Sequence, residues 1–304
     1  MEDNKLKILM KSRQVVMTSY EVTTVENRFF YYILYKAQKE KNGIYSCIIN
    51  IDEFKNLTSN PNQKTIAAIK IALNKLKSTI LIFDKEDIDC NYSLIGGYEF
   101  NRATGEFSVK LLPVLYEYLI KYTVYAPLNL QVVSRFKSFY TQRLYELMRL
   151  WSRTNEYIIK EFKIEDLRFV LATENKYPKY KNFNQRVLSP AVKELNETGN
   201  MEIVTTEFKS GRKVAKIQFK ILDREPKKYF KNLEAINSPI EISDVLLKDE
   251  IKPKDIVETS LTKKIGIENV LHIENKAVIK MINNKFKDYD EAQLLGMKQS
   301  KSRG

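Results

Sequence analysis

The chain repeats one order of predicted elements, and this repeat limits its fold more than any other feature. In each copy, an aromatic-rich helix precedes a strand, a short helix with an acidic start, a turn, a longer helix and a hairpin. The first copy runs from Asn27 to Leu111 and the second from Phe139 to Leu222. This order is typical of a winged helix, in which the hairpin forms the wing. We therefore predict an α+β fold with two winged-helix domains in tandem and a charged C-terminal extension.

In the first copy, apolar periodicity, acidic helix starts and turn residues define the elements. The sequence predicts a helix over 27–38, a strand over 44–51, a short helix from Ile51, a turn over 58–62, a helix over 63–77 and strands over 79–83, 92–100 and 107–111. Gly96 and Gly97 interrupt the strand over 92–100, which indicates a bulge or bend rather than a phosphate-binding loop. A helix over 113–122 closes this copy, and residues 125–133 connect it to the second.

The second copy follows the same order. The sequence predicts a helix over 139–151, a strand over 157–162, a short helix from Ile164, a turn over 173–181, a helix over 182–196 and strands over 201–208 and 213–222. Gly211 lies in the hairpin tip 209–212, where a positive φ favours glycine. The end of the longer helix, 191–195 (AVKEL), resembles residues 72–76 (ALNKL) of the first copy.

The segment 176–196 carries the side chains that best suit contact with DNA. At helical spacing, one side of its helix presents Asn182, Gln185, Arg186, Ser189 and Lys193. Asparagine, glutamine and arginine can bind base edges through two hydrogen bonds, and lysine pairs with phosphate. Lys176, Lys179 and Lys181 precede or open this helix, and a helix N-terminus already attracts anions. These eight residues are our main candidates for DNA binding, and solvated lysines are the alternative for the last three.

Further basic residues lie at the predicted wing tip and in the first copy. Arg212 and Lys213 suit contact with phosphate or the minor groove, while a role in solubility is the alternative. The weaker candidates, all in the first copy, are Lys64, Lys70, Lys75 and Arg102. The longer helix of the first copy exposes Ala67, Ala68 and Ile71 and offers little hydrogen-bonding chemistry beyond lysine.

Arg186 has a structural alternative, in which an internal carboxylate such as Glu194 braces it. The two residues lie on a similar side of the helix, but they are more than two turns apart. This separation is too large for direct pairing within the helix, so we favour DNA contact for Arg186.

The composition favours a polyanionic partner and a cytoplasmic location. The chain has 304 residues, a formal net charge of +13 and a hydrophobic fraction of 43%, enough for two domains with real cores. Ribosomal, membrane-surface and DNA-binding proteins share such a charge. Cys47 and Cys90 fit no metal spacing and suit idle thiols in a reducing cytosol. The sequence shows neither a signal-peptide pattern nor an apolar run long enough to span a membrane, so we expect no membrane partner.

The residue inventory gives no positive sign of an enzyme. His272 is the only histidine, so a metal held by two histidines and a zinc site of the HExxH kind are excluded. The nucleotide-binding patterns GxxxxGK[ST] and GxGxxG are absent too. We expect no cofactor and no covalent chemistry. A nicking enzyme that uses a tyrosine is the catalytic alternative.

The second copy resembles the iteron-binding plasmid replication initiators, the Rep family with paired winged helices. Residues 138–147 (SFYTQRLYEL) look like the family's S-x-Y-x-x-R-L-Y-E-L helix, and Leu167-Arg168 with Leu171 looks like its helix-turn-helix entry. The family's recognition segment and wing have counterparts in Lys176-Tyr177, Tyr180, Phe183, Arg186-Val187-Leu188, Pro190-Ala191, Glu194-Leu195-Asn196, Gly211-Arg212-Lys213-Val214, Ile217 and Phe219. The family usually has Gly where Ala172 stands and Ile where Leu195 stands. The first copy matches in pattern more than in letters.

This resemblance implies a protein that binds repeats at a plasmid origin, helps open the duplex and helps recruit a host helicase or initiator. It implies a first domain (1–126) for dimerisation and auxiliary DNA binding, and a second domain (127–225) as the main reader. Monomers would bind the repeats, while dimers would repress the protein's own gene. A tandem winged-helix transcription regulator without a replication role is the other interpretation.

The remaining residues, 226–304, differ from the two copies in composition. They are rich in Lys, Glu and Asp, and Pro239 and Pro253 interrupt them. Residues 275–286 (NKAVIKMINNKF) could form an amphipathic helix within a flexible extension. Docking of a helicase and a merely solvated tail both fit this pattern.

Overall fold

The computed structural model describes residues 7–40, 45–83, 90–120, 124–152 and 156–224, which all belong to the same structural unit. The expected extension 226–304, with its helix over 275–286 and with His272, lies outside the described residues. No helix in the described ranges is long and apolar enough to cross a membrane.

The N-terminal winged helix, residues 8–120, has the predicted order with one added strand and helix in front. Its elements are β1 (Ile8–Ser12), α1 (Arg13–Val16), α2 (Thr24–Glu40), β2 (Ser46–Asn50), α3 (Ile51–Lys55), a 3-10 turn (Pro61–Gln63), α4 (Ile66–Ser78), β3 (Ile80–Phe83), β4 (Cys90–Ser93), β5 (Gly97–Asn101), β6 (Glu106–Lys110) and α5 (Pro113–Ile120). The strands β2, β6 and β5 form one antiparallel sheet in that order, and β3 pairs with β4.

Local capping explains where the helices of this winged helix begin. The Asn50 side chain accepts from the Asp52 amide at 3.0 Å, and Glu53 accepts from the Asn50 amide at 2.9 Å. These bonds satisfy donors that the first turn of α3 leaves unpaired. The Thr65 hydroxyl accepts from the Ala68 amide at 3.1 Å and caps α4 in the same way.

The predicted strand over 92–100 is divided between two sheets. Its first part belongs to β4, and its second part is β5 in the sheet with β6. The change of sheet takes place at Gly96, whose amide donates to the Lys110 carbonyl at 2.8 Å. The bend predicted from Gly96 and Gly97 is therefore confirmed, while a single continuous strand is wrong.

A two-stranded sheet was missing from the sequence prediction. β1 pairs antiparallel with β7 (Tyr125–Asn129), and the short helix α6 (Leu130–Val133) follows. From the sequence, residues 125–133 are expected only to connect the two copies. The boundary expected after residue 126 falls within β7, and the division into 1–126 and 127–225 stays a prediction.

The C-terminal winged helix, residues 139–223, follows the predicted order closely. Its elements are α7 (Phe139–Trp151), β8 (Ile158–Lys163), α8 (Ile164–Val170), α9 (Tyr180–Phe183), a π-helical turn (Asn184–Leu188), α10 (Ser189–Thr198), β9 (Met201–Ser210) and β10 (Lys213–Asp223). The sheet has the order β8-β10-β9 and is antiparallel throughout. The prediction of two winged helices is confirmed by this order together with that of residues 8–120.

The helix α7 is buried on almost every side because elements of both winged helices pack against it. It contacts α1, α2 and β7 as well as α10. Apolar residues of both winged helices belong to one continuous core. Such a position leaves no solvent-facing side for polar residues, so Thr141, Gln142, Arg143, Glu146 and Arg149 are buried too.

The buried polar side chains of α7 find partners within the protein, as buried charges require. We define the buried polar cluster as Lys11, Tyr20, Asn27, Gln142, Arg143 and Glu146. Within it, Lys11 Nζ donates to Glu146 at 2.6 Å and to the Tyr20 hydroxyl at 3.0 Å, and Arg143 pairs with Glu146. The Tyr20 hydroxyl donates to Asn27, whose amide donates to Gln142, each at 2.9 Å. The cluster therefore joins α7 to the N-terminal winged helix.

Arg143 also holds backbone from both winged helices. Its guanidinium donates to the Val16 carbonyl at 2.9 Å and to the Thr18 carbonyl at 2.6 Å. On the other side it donates to the Val170 carbonyl at the end of α8, at 3.2 Å. One side chain of α7 thus connects α8 of the C-terminal winged helix to the segment after β1.

Candidate nucleic-acid interface

The helix expected to read DNA is continuous from residue 180 to residue 198, and we name this range the recognition helix. It consists of α9, one π-helical turn and α10. Pro190 accounts for the wide turn, because proline lacks an amide proton and its ring clashes with the carbonyl four residues earlier. Its inner side is buried and consists of Phe183, Val187, Leu188, Ala191 and Leu195.

The opposite side of the recognition helix carries the predicted DNA-binding residues. Six of them are exposed there: Lys181, Asn182, Gln185, Arg186, Ser189 and Lys193. Several of these line a shallow depression of about 680 Å³, together with Tyr180 and Asn184. The spacing in the sequence therefore predicted which side of the helix faces solvent, and this side offers amide, guanidinium and ammonium groups together.

Two residues of this surface, Asn184 and Glu207, were missed in the sequence analysis. The Tyr180 hydroxyl donates to Glu207 of β9 at 2.6 Å, and the Asn184 amide donates to the same oxygen at 3.3 Å. The Ser189 hydroxyl donates to Asn184 at 2.8 Å. Burial, followed by the bond to Glu207, raises the pKa of Tyr180, so its hydroxyl stays a donor. These contacts fix the recognition helix against the wing.

Glu194 links the recognition helix to α7. Its carboxylate accepts from the Lys137 amide at 2.7 Å and from the Thr141 hydroxyl at 2.5 Å. Both oxygens of Glu194 are therefore engaged at the start of α7, whereas the Arg186 side chain is exposed to solvent. This geometry agrees with the argument that Glu194 is too far along the helix to brace Arg186.

The turn before the recognition helix is held by Arg168. Its guanidinium donates to the Lys176 carbonyl at 2.9 Å and to the Tyr177 carbonyl at 2.8 Å, and it lies 4.6 Å from the centre of the Phe183 ring. Ala172 and Tyr177 adopt positive φ angles of 52°, which L-residues rarely do. Tyr177 packs against the core.

The three lysines near the start of the recognition helix do not share one environment. Lys176 forms an ion pair with Glu21 of the N-terminal winged helix. Lys179 directly precedes α9 and is exposed, as is Lys181 in its first turn. Lys179 and Lys181 are therefore better placed than Lys176 to meet an anion at this helix start.

The wing extends beyond the body of the C-terminal winged helix. In β9, all residues from 204 to 210 are exposed, whereas Met201 and Ile203 near its start are buried. Gly211 at the tip has a φ of 62°, as predicted. Lys209, Arg212 and Lys213 surround it and are exposed. The tip therefore presents positive charge to solvent.

The candidate residues of the N-terminal winged helix are more scattered. Lys64 is half-buried and ends the 3-10 turn, while Lys75 is exposed near the end of α4. Lys70 lies 4.8 Å from the centre of the Phe100 ring. Arg102 is exposed in the turn between β5 and β6. In the described part of the chain, no cluster of His, Cys, Asp and Glu could hold a metal ion.

Comparison with known proteins identifies the family. Residues 8–149 match the model "Initiator Replication protein, WH1", and residues 163–221 match "Initiator Rep protein, WH2". The chain belongs to the Rep family of replication initiators with two winged-helix domains. The resemblance seen in the second copy is thereby confirmed, and the matched regions include most of both winged helices.

Two relatives illustrate how far the similarity extends. A replication initiation protein of Escherichia coli is 35% identical over 122 residues, which are 39% of this chain and 37% of that protein. This chain thus spans little more than a third of that curated relative. The crystal structure of the Pi initiator protein in complex with iteron DNA superimposes with a TM-score of 0.55 at 15% identity, covering 73% of this chain and 99% of that one. At this identity, the likeness concerns the fold.

Proposed function

We propose that this protein binds repeated sites in double-stranded DNA at a plasmid origin and thereby initiates replication. The observation that carries the proposal is the outward side of the recognition helix, where Asn182, Gln185 and Arg186 are exposed between Lys181 and Lys193. Amide and guanidinium groups suit base edges in the major groove, and lysines suit the adjacent phosphates. The E. coli relative is a replication initiation protein, and the Pi initiator was crystallised in complex with iteron DNA; both support the same function.

In this proposal, the C-terminal winged helix is the main reader of DNA sequence. The N-terminal winged helix serves as auxiliary reader and as dimerisation module, and the dimer represses the protein's own gene. The protein acts in the cytoplasm, where it meets a host helicase or initiator. It performs no covalent chemistry and needs no cofactor. Wrapping or bending of the origin offsets the few kcal/mol that local unstacking requires, especially on negatively supercoiled DNA.

A footprint tests whether both winged helices contact DNA. Two recognition surfaces on one side of the duplex occupy successive major grooves, about 10.5 bp apart. One monomer should then protect roughly two helical turns. Protection of a single turn that is unaffected by substitutions in α4 would restrict reading to the C-terminal winged helix.

Alanine substitutions separate base reading from phosphate contact. Arg186→Ala should cost about 1–3 kcal/mol of cognate binding and relax specificity at one base pair. Lys213→Ala should weaken cognate and scrambled duplexes alike and lower the salt slope by about one unit. Arg224→Ala is the matched control, because Arg224 lies at the end of β10 away from the wing tip and pairs with Glu202. Equal losses on both duplexes for Arg186→Ala would make Arg186 a phosphate contact.

A duplex-opening assay separates the proposal from its rivals. The purified protein should make an AT-rich stretch of supercoiled origin DNA sensitive to a single-strand probe without ATP, and it should leave the backbone intact. Nicked or covalently bound DNA that disappears with a single tyrosine substitution would support the nicking enzyme. Tight binding without opening, in a protein that cannot sustain its replicon, would support the transcription regulator.

A further inference from the structure

The helix α4 occupies in the N-terminal winged helix the place that the recognition helix occupies in the other, but its outward side has different chemistry. Ile69, Leu73 and Leu76 face the core. On the opposite side Ala67 and Ile71 are exposed one turn apart, and Asn74 continues the same stripe. Ile71 is 69% exposed, which is the largest exposed fraction of any large hydrophobic residue that the structure describes.

The ends of the two helices allow a position-by-position comparison. Ala72 and Leu76 are buried in α4, as Ala191 and Leu195 are in the recognition helix, and the spacing within each pair is the same. Counting back through the sequence from these pairs, without allowance for the π-helical turn of the recognition helix, aligns Ala67 with Arg186 and Ile66 with Gln185. At these two positions the recognition helix carries side chains that can hydrogen-bond to base edges, whereas α4 carries the aliphatic Ile66 and Ala67.

The surroundings of this aliphatic stripe are positively charged. Lys75 and Lys77 are exposed on α4, and Lys70 is partly exposed beside the Phe100 ring. From the 3-10 turn to the end of α4, residues 61–78, the sequence contains no acidic residue. A protein surface that covered this stripe would need matching carboxylates, whereas DNA supplies negative phosphates on both sides of its groove.

From these observations we propose that α4 reads thymine methyl groups in the major groove. This inference rests on the proposed function, because it requires both winged helices to bind the repeat. Thymine carries the one methyl group that a base pair presents in the major groove, and apolar side chains are its natural contacts. Ile71, with Ala67 one turn before it on the same side of α4, selects an A·T-rich half-site by burying those methyl groups. The flanking lysines pair with phosphates of the DNA backbone.

The test replaces thymine by deoxyuracil, which keeps every base pair and lacks only the methyl group. The cognate repeat is prepared with thymines substituted in successive blocks of a few base pairs. Substitution in one block should weaken binding about fourfold for each contacted methyl, because burial of one carbon group contributes about 0.8 kcal/mol. With Ile71→Ala, the same block should lose its sensitivity. The variant should fold normally, since Ile71 is exposed and alanine favours the helix.

Two control variants assign the effect to α4. Ile48→Ala removes another exposed isoleucine of the same winged helix, on β2, and should retain the full sensitivity to deoxyuracil. Arg186→Ala should bind more weakly overall and still distinguish thymine from deoxyuracil in that block. Circular dichroism and gel filtration of each variant report folding and association.

The outcomes distinguish this inference from the proposed function. The wild type could bind the repeat tightly while deoxyuracil weakens its binding in no block, or weakens the binding of Ile71→Ala equally. In that case the methyl-reading role is wrong while origin binding stands. If Ile71→Ala leaves DNA binding intact but changes the association state, the stripe is a protein contact and the inference fails. If the wild type does not bind the repeat at all, both fail together.

Discussion

Replacing Lys11 by methionine tests the charge balance of the buried polar cluster. Lys11 and Arg143 both pair with the carboxylate of Glu146, and all three side chains are fully buried. Two cations and one carboxylate would leave a net positive charge without solvent, which is costly. Burial lowers the pKa of Lys11 from 10.5 to about 7, although the carboxylate of Glu146 acts in the opposite direction. When Lys11 is a neutral amine, the positive charge of Arg143 and the negative charge of Glu146 cancel within the cluster.

The lowered pKa gives the stability a definite dependence on pH. Between the two pKa values the unfolded chain carries the Lys11 proton and the folded chain does not, so the free energy of unfolding rises with pH. From about pH 6.5 to 9.5 this single group should add about 3 kcal/mol, as an order of magnitude. Above about pH 10 the trend should reverse, because burial raises the pKa of Tyr20 and the unfolded chain then loses protons that the folded chain keeps.

Urea unfolding followed by circular dichroism at about pH 6.5, 8 and 9.5 measures this slope. The wild type should gain stability across the series, and Lys11→Met should lack most of that gain. At neutral pH the variant should be at least as stable as the wild type, because methionine leaves the Arg143–Glu146 pair complete. Lys110→Met, a control at an exposed ion pair with Glu99, should keep the wild-type slope. A flat wild-type profile, or an equal slope in Lys11→Met, would refute the reasoning.

Three further substitutions test the other contacts in urea titrations. Arg143→Met should cost about 3–5 kcal/mol, because it leaves buried carbonyls of both winged helices without their donor and removes a partner of Glu146. Glu194→Ala should cost about 1–3 kcal/mol by releasing the recognition helix from the Lys137 amide and the Thr141 hydroxyl; a neutral result would show that the helix is held elsewhere. Ala172→Gly should stabilise by up to about 1 kcal/mol, because glycine adopts the observed positive φ without strain; no gain would mean that the greater freedom of glycine in the unfolded chain offsets the relief.

The fold was predictable where local patterns decide it. The bounds predicted for α7 are those observed, because Ser138 caps the helix and apolar residues recur at helical spacing. The sheet of β1 and β7 was not predictable, because its strands are more than a hundred residues apart in the chain. β1 also contains Lys11, a residue type that is rarely buried unless it is paired, and its burial depends on Glu146 of a helix far along the sequence. Non-local partners of this kind leave no local pattern.

The candidate site, too, was predictable where local patterns decide it and not where it depends on non-local partners. Helical spacing was sufficient to predict that Gln185, Arg186 and Lys193 face outward, because the buried residues of one helix determine its opposite side. The contact of Lys176 with Glu21 and the role of Glu207 depend on how the turn and the wing pack in space. Sequence reasoning therefore identified the surface, while the bonds that orient it required the structure.

The position of α7 has a consequence for how the two winged helices could act together on DNA. Glu194 attaches the recognition helix to the first turn of α7, and Arg143, in the next turn, attaches α7 to the backbone at Val16 and Thr18. Both attachments are short hydrogen bonds on one helix, and the second is fully buried, where a broken bond costs the most. In the proposed complex, the distance between the two helices that meet the major groove is then set by side chains that touch no DNA. Substitutions in α7 should accordingly alter which spacing of half-sites is preferred, while base preference within each half-site stays with the exposed residues of α4 and the recognition helix.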